Sequence, residues 1–470
     1  MQILVIILAT AVSIVAGSFA VHSNPSMLFL ILIGGLVGTF AFSSPKVSLI
    51  LMVLSMLLSP KLGMGDVSSY RTVVLRYDDI LLVIIFMSWF ARTAIFKDKP
   101  FITSTPVQTP VLLYTSLCVI STAFGVMRGD VEWKMASFYV LKYVEYFLLY
   151  FMTVNIVDSA EEVKKYMRYG LFVAIAVTIY AYWYYNASGG LRATAPFETP
   201  LGADLRESEP ASLGGYFLVI FGILFAFLTE SGGTTFLLTL GLILFIFPPF
   251  LFTFSRSSYL AFAAMLPVLF FFTRKRRLFL IGFITAGFIA LTLFPTISSK
   301  VVNRITMTYS GGAATQSFNT GTIGAVKLED SAAARVNSLH RVLFEQLPQH
   351  PIIGWGVTAV GLCDTQYALV LGETGLLGFL LFGWMLYRLF YTARIVFHVY
   401  KDSAIRALAL GFMVSLLALL VQCVGVNSFV IVRIMEPFWF IAACLSVLYL
   451  KIDKADSSIP VEVVQEIPEK

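Results

Sequence analysis

Fourteen apolar runs punctuate this chain, at about 2–22, 26–43, 46–60, 79–96, 109–127, 136–157, 166–187, 212–230, 234–253, 256–272, 277–297, 366–389, 405–425 and 433–451. Crossing about 30 Å of hydrocarbon takes roughly 20 helical residues. Lipid offers the backbone no hydrogen-bond partners, so runs of this length and number demand helices. The second and third runs are short and also fit a re-entrant pair, which sets the expected count at twelve to fourteen spans. Only 13% of the residues are charged, against about 25% in soluble domains. The expected fold class is an all-α integral membrane protein. Residues 1–22 have small residues at their end but no basic start, and they read as a first span rather than a signal peptide.

Orientation follows from Lys and Arg near span ends. "TRKRR" (273–277) is the strongest inside marker, and alternation fixes the rest. With the long loop 298–363 set apart, 18 basic residues fall inside against 9 outside. Both termini are then expected in the cytoplasm. The net charge of +6 is scattered over short loops, which argues against a nucleic-acid partner.

Four regions follow. Residues 1–297 form an N-terminal bundle of about eleven spans, 298–365 a large outside loop, 366–451 the last spans, and 452–470 a polar tail expected to be disordered. Within the loop, "YSGGAATQSFNTGTIGAVKLED" is expected to be mobile. In "SAAARVNSLHRVLFEQLPQ", Val336, Leu339, Leu343 and Leu347 share one helical face, with Asp330 or Ser331 as cap. This predicts an amphipathic helix lying on the outer membrane surface or on the bundle. Cys118 and Cys444 read as buried small hydrophobes. Cys363 and Cys423 both approach the outer side, where the sequence neither requires nor forbids a disulfide.

A charge at the bilayer centre costs about 2.5–3.5 kcal/mol on insertion scales, so such residues tend to face a bundle interior or a watery cavity. Lys142, Glu145, Arg256, Glu373, Arg433 and Glu436 all fall in the outer part of their spans. That clustering predicts one polar cavity open to the outside. Lys142 with Glu145, and Arg433 with Glu436, also have the spacing of simple pairs on one helix. Arg256, in "RSSYLA", either snorkels to the interface or faces an anion such as phosphate. The adjacent Asp78 and Asp79 read as a cap for the fourth span, not as a metal site. No metal or cofactor is expected.

"DTQYALVLGETGLLG" (364–378) carries two carboxylates. Asp364, followed by Thr365, reads as an N-cap. Glu373 lies nine residues on, about 13 Å along a helix and on the opposite face. Gly372, Gly375 and Gly378 make a small-residue row that admits a neighbouring helix, so Glu373 also reads as an interhelical hydrogen-bonding group.

Four stretches together resemble the bacterial O-antigen ligase and Wzy-type polysaccharide polymerase superfamily. They are "LRATAPFETP" with Arg192, "FSRSSYLA" with Arg256, and "AARVNSLHRVLFEQLPQHPIIGWG" with Arg335, His350, Pro351, Gly354 and Gly356. The fourth is "DTQYALVLGETGLLG", with Tyr367, Glu373, Gly375 and Gly378. The ligases carry His-Asn where this chain has Asp364 and Thr365, so the ligases' His has no counterpart here and the resemblance leans toward the polymerases.

The resemblance implies a GT-C-like fold in the bacterial inner membrane with its large loop in the periplasm. It also implies an inverting, metal-independent glycosyltransferase acting on a polyprenyl-diphosphate-linked oligosaccharide, working beside a chain-length regulator and a flippase. Arg192, Arg256, Arg335, Lys142 and Tyr367 would bind the substrate or its diphosphate. Asp364 or Glu373 would be the base, and helical phase favours Asp364. A ligase passing glycan to a lipid or protein is the alternative reading. A glycan flippase is the alternative of another class, but transporters usually carry repeats and charges in both leaflets. Neither is visible here.

Overall fold

The computed structural model describes residues 25–62, 75–97, 103–198, 210–273, 275–282, 314–319, 325–361 and 363–456, with 285, 299, 302–303 and 306 besides. Twelve of the fourteen apolar runs are helices among these residues: α1 Pro25–Ser43, α2 Pro45–Leu58, α3 Tyr77–Phe96, α4 Gln108–Arg128, α5 Trp133–Ile156 and α6 Ala160–Ala187 in the first half. They continue with α7 Pro210–Glu230, α8 Gly233–Phe252, α9 Arg256–Phe272, then α11 Gln366–Val399, α12 Ser403–Gln422 and α13 Val432–Asp456, with a loop helix α10 Asp330–His340 between α9 and α11. Run 2–22 lies outside the described residues, as does the tail from 457, and run 277–297 is described as helix only over 277–282 and at 285. Among the described residues, seven helices are long and apolar enough to cross a membrane, namely α3, α4, α7, α8, α11, α12 and α13. The chain is a helical, multi-pass membrane protein.

The two short runs are separate helices meeting at Ser44, which leaves the helical region at φ −139°. The most extensive pairing is α7 with α12. It rests on glycine: a Cβ on Gly222 would lie 2.8 Å from the Gly411 carbonyl, and one on Gly411 2.5 Å from Ile223 Cα. Ser415 Oγ donates across the crossing to Val219 O at 3.1 Å. Small residues at a backbone-close crossing are what helix association in lipid requires, since apolar area alone gives no preference for protein over lipid. Phe221, Phe250 and Phe262 fill the adjacent interior, with Phe221–Phe250 centroids 5.3 Å apart.

One end of the bundle is held by ion pairs. Lys46 lies 3.0 Å from Asp158, Lys164 2.7 Å from Asp402, and Glu230 2.9 Å from both Lys275 and Arg406. This is the end that carries "TRKRR". The other end gathers the longer connections.

Residues 309–330, expected to be mobile, contain an antiparallel pair, β3 Ala314–Asn319 with β4 Ala325–Glu329. The alternation of "AVKLE" has a strand's period of two. A second short pair, β1 Lys61–Leu62 with β2 Leu75–Arg76, leads into α3. All four cysteines are buried free thiols, so Cys363 and Cys423 form no disulfide. Burial pushes the Cys363 thiol up, which keeps it protonated near neutral pH and rules it out as a resting nucleophile.

Candidate functional site

α11 breaks inside the stretch that carries both sequence-predicted carboxylates. Gly375 sits at φ 67°, ψ −168°, a region that glycine alone occupies readily. The backbone groups freed by the break find partners in "HPIIGWG". Leu376 N–H donates to Pro351 O at 2.8 Å and Leu377 N–H to Ile352 O at 3.1 Å. In return, Trp355 and Gly356 donate to Gly372 O and Glu373 O, both at 2.9 Å. Gly354 and Gly356, at φ 71° and 105°, turn this segment. The glycines 372 and 375 therefore admit the 342–360 segment and not a neighbouring helix. A Cβ on Gly372 would lie 2.6 Å from Val360, and one on Gly375 2.5 Å from the Ile352 carbonyl carbon.

Glu373 is buried and aimed at this turn. Its Oε1 accepts the Thr358 N–H at 2.8 Å, and its carbonyl accepts Ser121 Oγ at 2.7 Å. Its side-chain hydrogen bond crosses to the turn at Thr358, where the sequence predicted an interhelical contact.

The loop helix is amphipathic, and it continues as one wide turn over Arg341–Gln346. Its apolar stripe faces mostly away from the protein: Val336 and Leu339 are exposed and Leu343 and Leu347 half-buried, with Phe344 exposed beside them, while Ala333, Ser338 and Val342 are buried. The arginines turn inward instead. Arg335 Nε donates to Gly425 O at 3.0 Å and Arg341 Nη2 to Val360 O at 3.0 Å. An apolar face outward and a polar face inward is the arrangement lipid selects.

Around Gly425, Arg335 meets the start of α9, the helix that Arg256 opens. A Cβ on Gly425 would meet Arg335 Nε at 3.4 Å and Ser257 Cβ at 3.5 Å, and Ser257 follows Arg256. Ala193 N–H donates to Phe252 O at 2.9 Å, which sets Arg192 beside the α8–α9 turn. All three arginines are half-buried.

The other flank of the same 423–429 segment carries Asp364. Gln366 N–H donates to Cys423 O at 3.1 Å, Asn427 Nδ2 to Cys363 O at 2.5 Å, and Phe429 N–H to Gln366 Oε1 at 3.1 Å. Asp364 is not the cap, because Thr365 takes that position without a side-chain hydrogen bond. Among the described residues the half-buried Asp364 carboxylate has no hydrogen-bond or ion-pair partner. Tyr367, one turn on, donates to Leu420 O at 2.5 Å.

Lys142 lies elsewhere, in a second polar cluster between α3, α5 and α13. Its Nζ is 2.5 Å from Asp79 Oδ2 and 2.9 Å from Glu145 Oε2. Asp79 also accepts the Arg76 N–H at 2.9 Å, so the sequence-predicted cap is present. Arg76 Nη2 lies 2.8 Å from Asp78 Oδ2. Arg433 does not pair with Glu436. Its Nε lies 2.6 Å from Glu198 Oε2, and its Nη1 donates to Leu57 O at 3.0 Å. Lys61 reaches Glu198 from the rim at 3.2 Å. Arg76, Asp78, Asp79 and Glu198 were invisible as members because charges in loops and first turns attract no notice. The adjacent Asp78-Asp79 at a span start was the one available signal.

A cavity of about 460 Å³ opens between α2, α6, α7, α8, α12 and α13. Its walls are mostly apolar, and Glu161, Lys164 and Ala404 place it toward the ion-paired end, away from the arginines. The chain matches no family model and no curated protein.

Proposed function

We propose that this protein is a polysaccharide polymerase of the bacterial inner membrane, transferring lipid-diphosphate-linked glycan repeat units at the outer face. The observation that carries the reading is the meeting of Arg335 with the Arg256 segment at Gly425, with the unpartnered Asp364 on the far flank of the same loop. A diphosphate leaving group needs cations where its charge develops, and guanidinium groups bind phosphate oxygens in pairs. The acceptor hydroxyl needs a base within reach of its proton.

In this reading the acceptor oxygen attacks the anomeric carbon from the face opposite the diphosphate. The new C–O bond forms as the bond to the diphosphate breaks, and configuration inverts. The hydroxyl proton passes to Asp364, and the departing diphosphate takes up the electron pair against Arg192, Arg256 and Arg335. Glu373 holds the turn over Thr358, and Lys142 belongs to the second cluster. The resemblance in the four stretches, the outer placement of the arginines and the GT-C-like reading of the bundle support one another.

The test is the lipid-linked glycan that accumulates when the gene is deleted. Single repeat units on the carrier are expected. Long chains retained on the carrier would make the protein a ligase, and units trapped in the cytoplasm would make it a flippase.

A further inference from the structure

Beyond the arginine site, the second cluster is short of positive charge. Four buried carboxylates, Asp78, Asp79, Glu145 and Glu436, meet three buried cations, Arg76, Lys142 and Arg433, and the half-buried Glu198 adds a fifth carboxylate. Lys61 joins only at the rim, through Glu198. An uncompensated buried charge is among the costliest features a protein can carry. The excess is concentrated at one place. Glu436 is 1% exposed, and neither of its carboxylate oxygens has a hydrogen-bond partner. Asp79 Oδ1 is likewise buried without a partner.

The geometry then admits a cation. One oxygen each from Asp78, Asp79 and Glu436 lie within 4.8 Å of one another. Some point therefore lies no more than about 2.8 Å from all three, a limit that admits the 2.3–2.6 Å of a calcium–oxygen bond. Magnesium usually keeps several waters, which suits a buried all-carboxylate site less well than calcium. Carboxylate oxygens carry two lone pairs each, so Asp78 and Asp79 keep an acceptor while bonded to Arg76 and Lys142.

We propose that Asp78, Asp79 and Glu436 bind one divalent cation of calcium's size, which fastens the start of α3 to α13. A cation there answers the excess of four buried carboxylates over three buried cations and gives the two unpartnered Glu436 oxygens a ligand. The site is separate from the arginines, so a failure of the polymerase reading leaves it standing.

The test uses the full-length protein in lipid nanodiscs, stripped by a chelator near neutral pH. Calcium should raise Tm saturably, by about 3–8 °C for ligand in large excess, and magnesium should do markedly less. Terbium should bind at the same place, with emission sensitised by tyrosine and displaced by calcium. Glu436→Gln should abolish both signals. If that variant does not accumulate, Asp79→Asn replaces it, since its amide oxygen still accepts the Arg76 N–H. No calcium shift in the wild type, or an undiminished shift in the variant, overturns the proposal. So does a wild type that ignores calcium and is stabilised by acid, because Glu436 then carries a proton.

Discussion

Glu198 Oε2 lies 2.6 Å from Arg433 Nε, with both side chains buried. The loop that carries Arg192 is thereby tied to α13. At its other end the same loop is fixed to α8 through Ala193 and Phe252.

Breaking this pair from one side is costly. Arg433→Ala leaves Glu198 with Lys61 alone, and removing one partner of a buried pair typically costs about 3–5 kcal/mol. A sharp loss of Tm in nanodiscs is expected. Combining Arg433→Met with Glu198→Gln should recover much of it, because both charges then leave together. A double variant no better than the single one would refute the assignment.

Gly375 should tolerate no side chain. Its φ and ψ alone cost an alanine about 1–3 kcal/mol, and the new methyl would press on the Ile352 carbonyl. Gly375→Ala is expected to reduce folded protein in the membrane, read by size-exclusion of a fluorescent fusion. Glu373→Gln should behave oppositely. The amide oxygen still accepts the Thr358 N–H, so both Tm and polymer yield should stay near wild type. Glu373→Ala leaves that amide buried without a partner, at about 1–3 kcal/mol.

The helices were legible because lipid enforces one backbone solution for every long apolar run. Val336 and Leu339 were correctly placed on one face, but the sequence cannot say which way that face points. In water it would be inward, and here it is outward. The spacing of Gly372, Gly375 and Gly378 suggested a packing row, because helical phase assumes an unbroken helix. The break at Gly375 depends on Pro351 and Ile352 supplying acceptors from a segment outside the helix, information that periodicity does not carry. The pairing of Arg433 with Glu198 instead of Glu436 is likewise a tertiary fact, since i,i+3 spacing permits a pair without requiring one.

Asp364→Asn removes the base and leaves the shape. A fall of about 10²–10⁴-fold in polymer formation is expected, with unchanged protein level in the membrane. Arg256→Ala should also abolish product at normal protein level. Wild-type polymer from the Arg256 variant would sink the diphosphate site, while wild-type polymer from the Asp364 variant would remove only the base.

Asp402 caps α12 through Ala404 and Ile405 and pairs with Lys164. Burial pushes its carboxyl up, but Lys164 and these amides outweigh burial and hold it below the usual carboxylate range. A lowered folded value means that the stabilisation is complete above the unfolded pKa of about 4 and is lost as pH falls through the folded one. Asp402→Ala should cost about 1 kcal/mol through the cap. Asp402→Asn should cost less, and its deficit against wild type should vanish in acid. A deficit that persists below the folded pKa would exclude the ion pair as its source.

The charged cluster between α3, α5 and α13 also bears on how the chain is made. Asp78, Asp79, Glu145 and Glu198 enter the membrane with the first half of the protein, while Arg433 and Glu436 arrive only with α13. During synthesis Glu198 has Lys61 alone for company, and the groove awaiting α13 stays open. The N-terminal spans therefore reach their final packing only when the ribosome has delivered the C-terminal one, so assembly is completed from the end of the chain and not from its beginning.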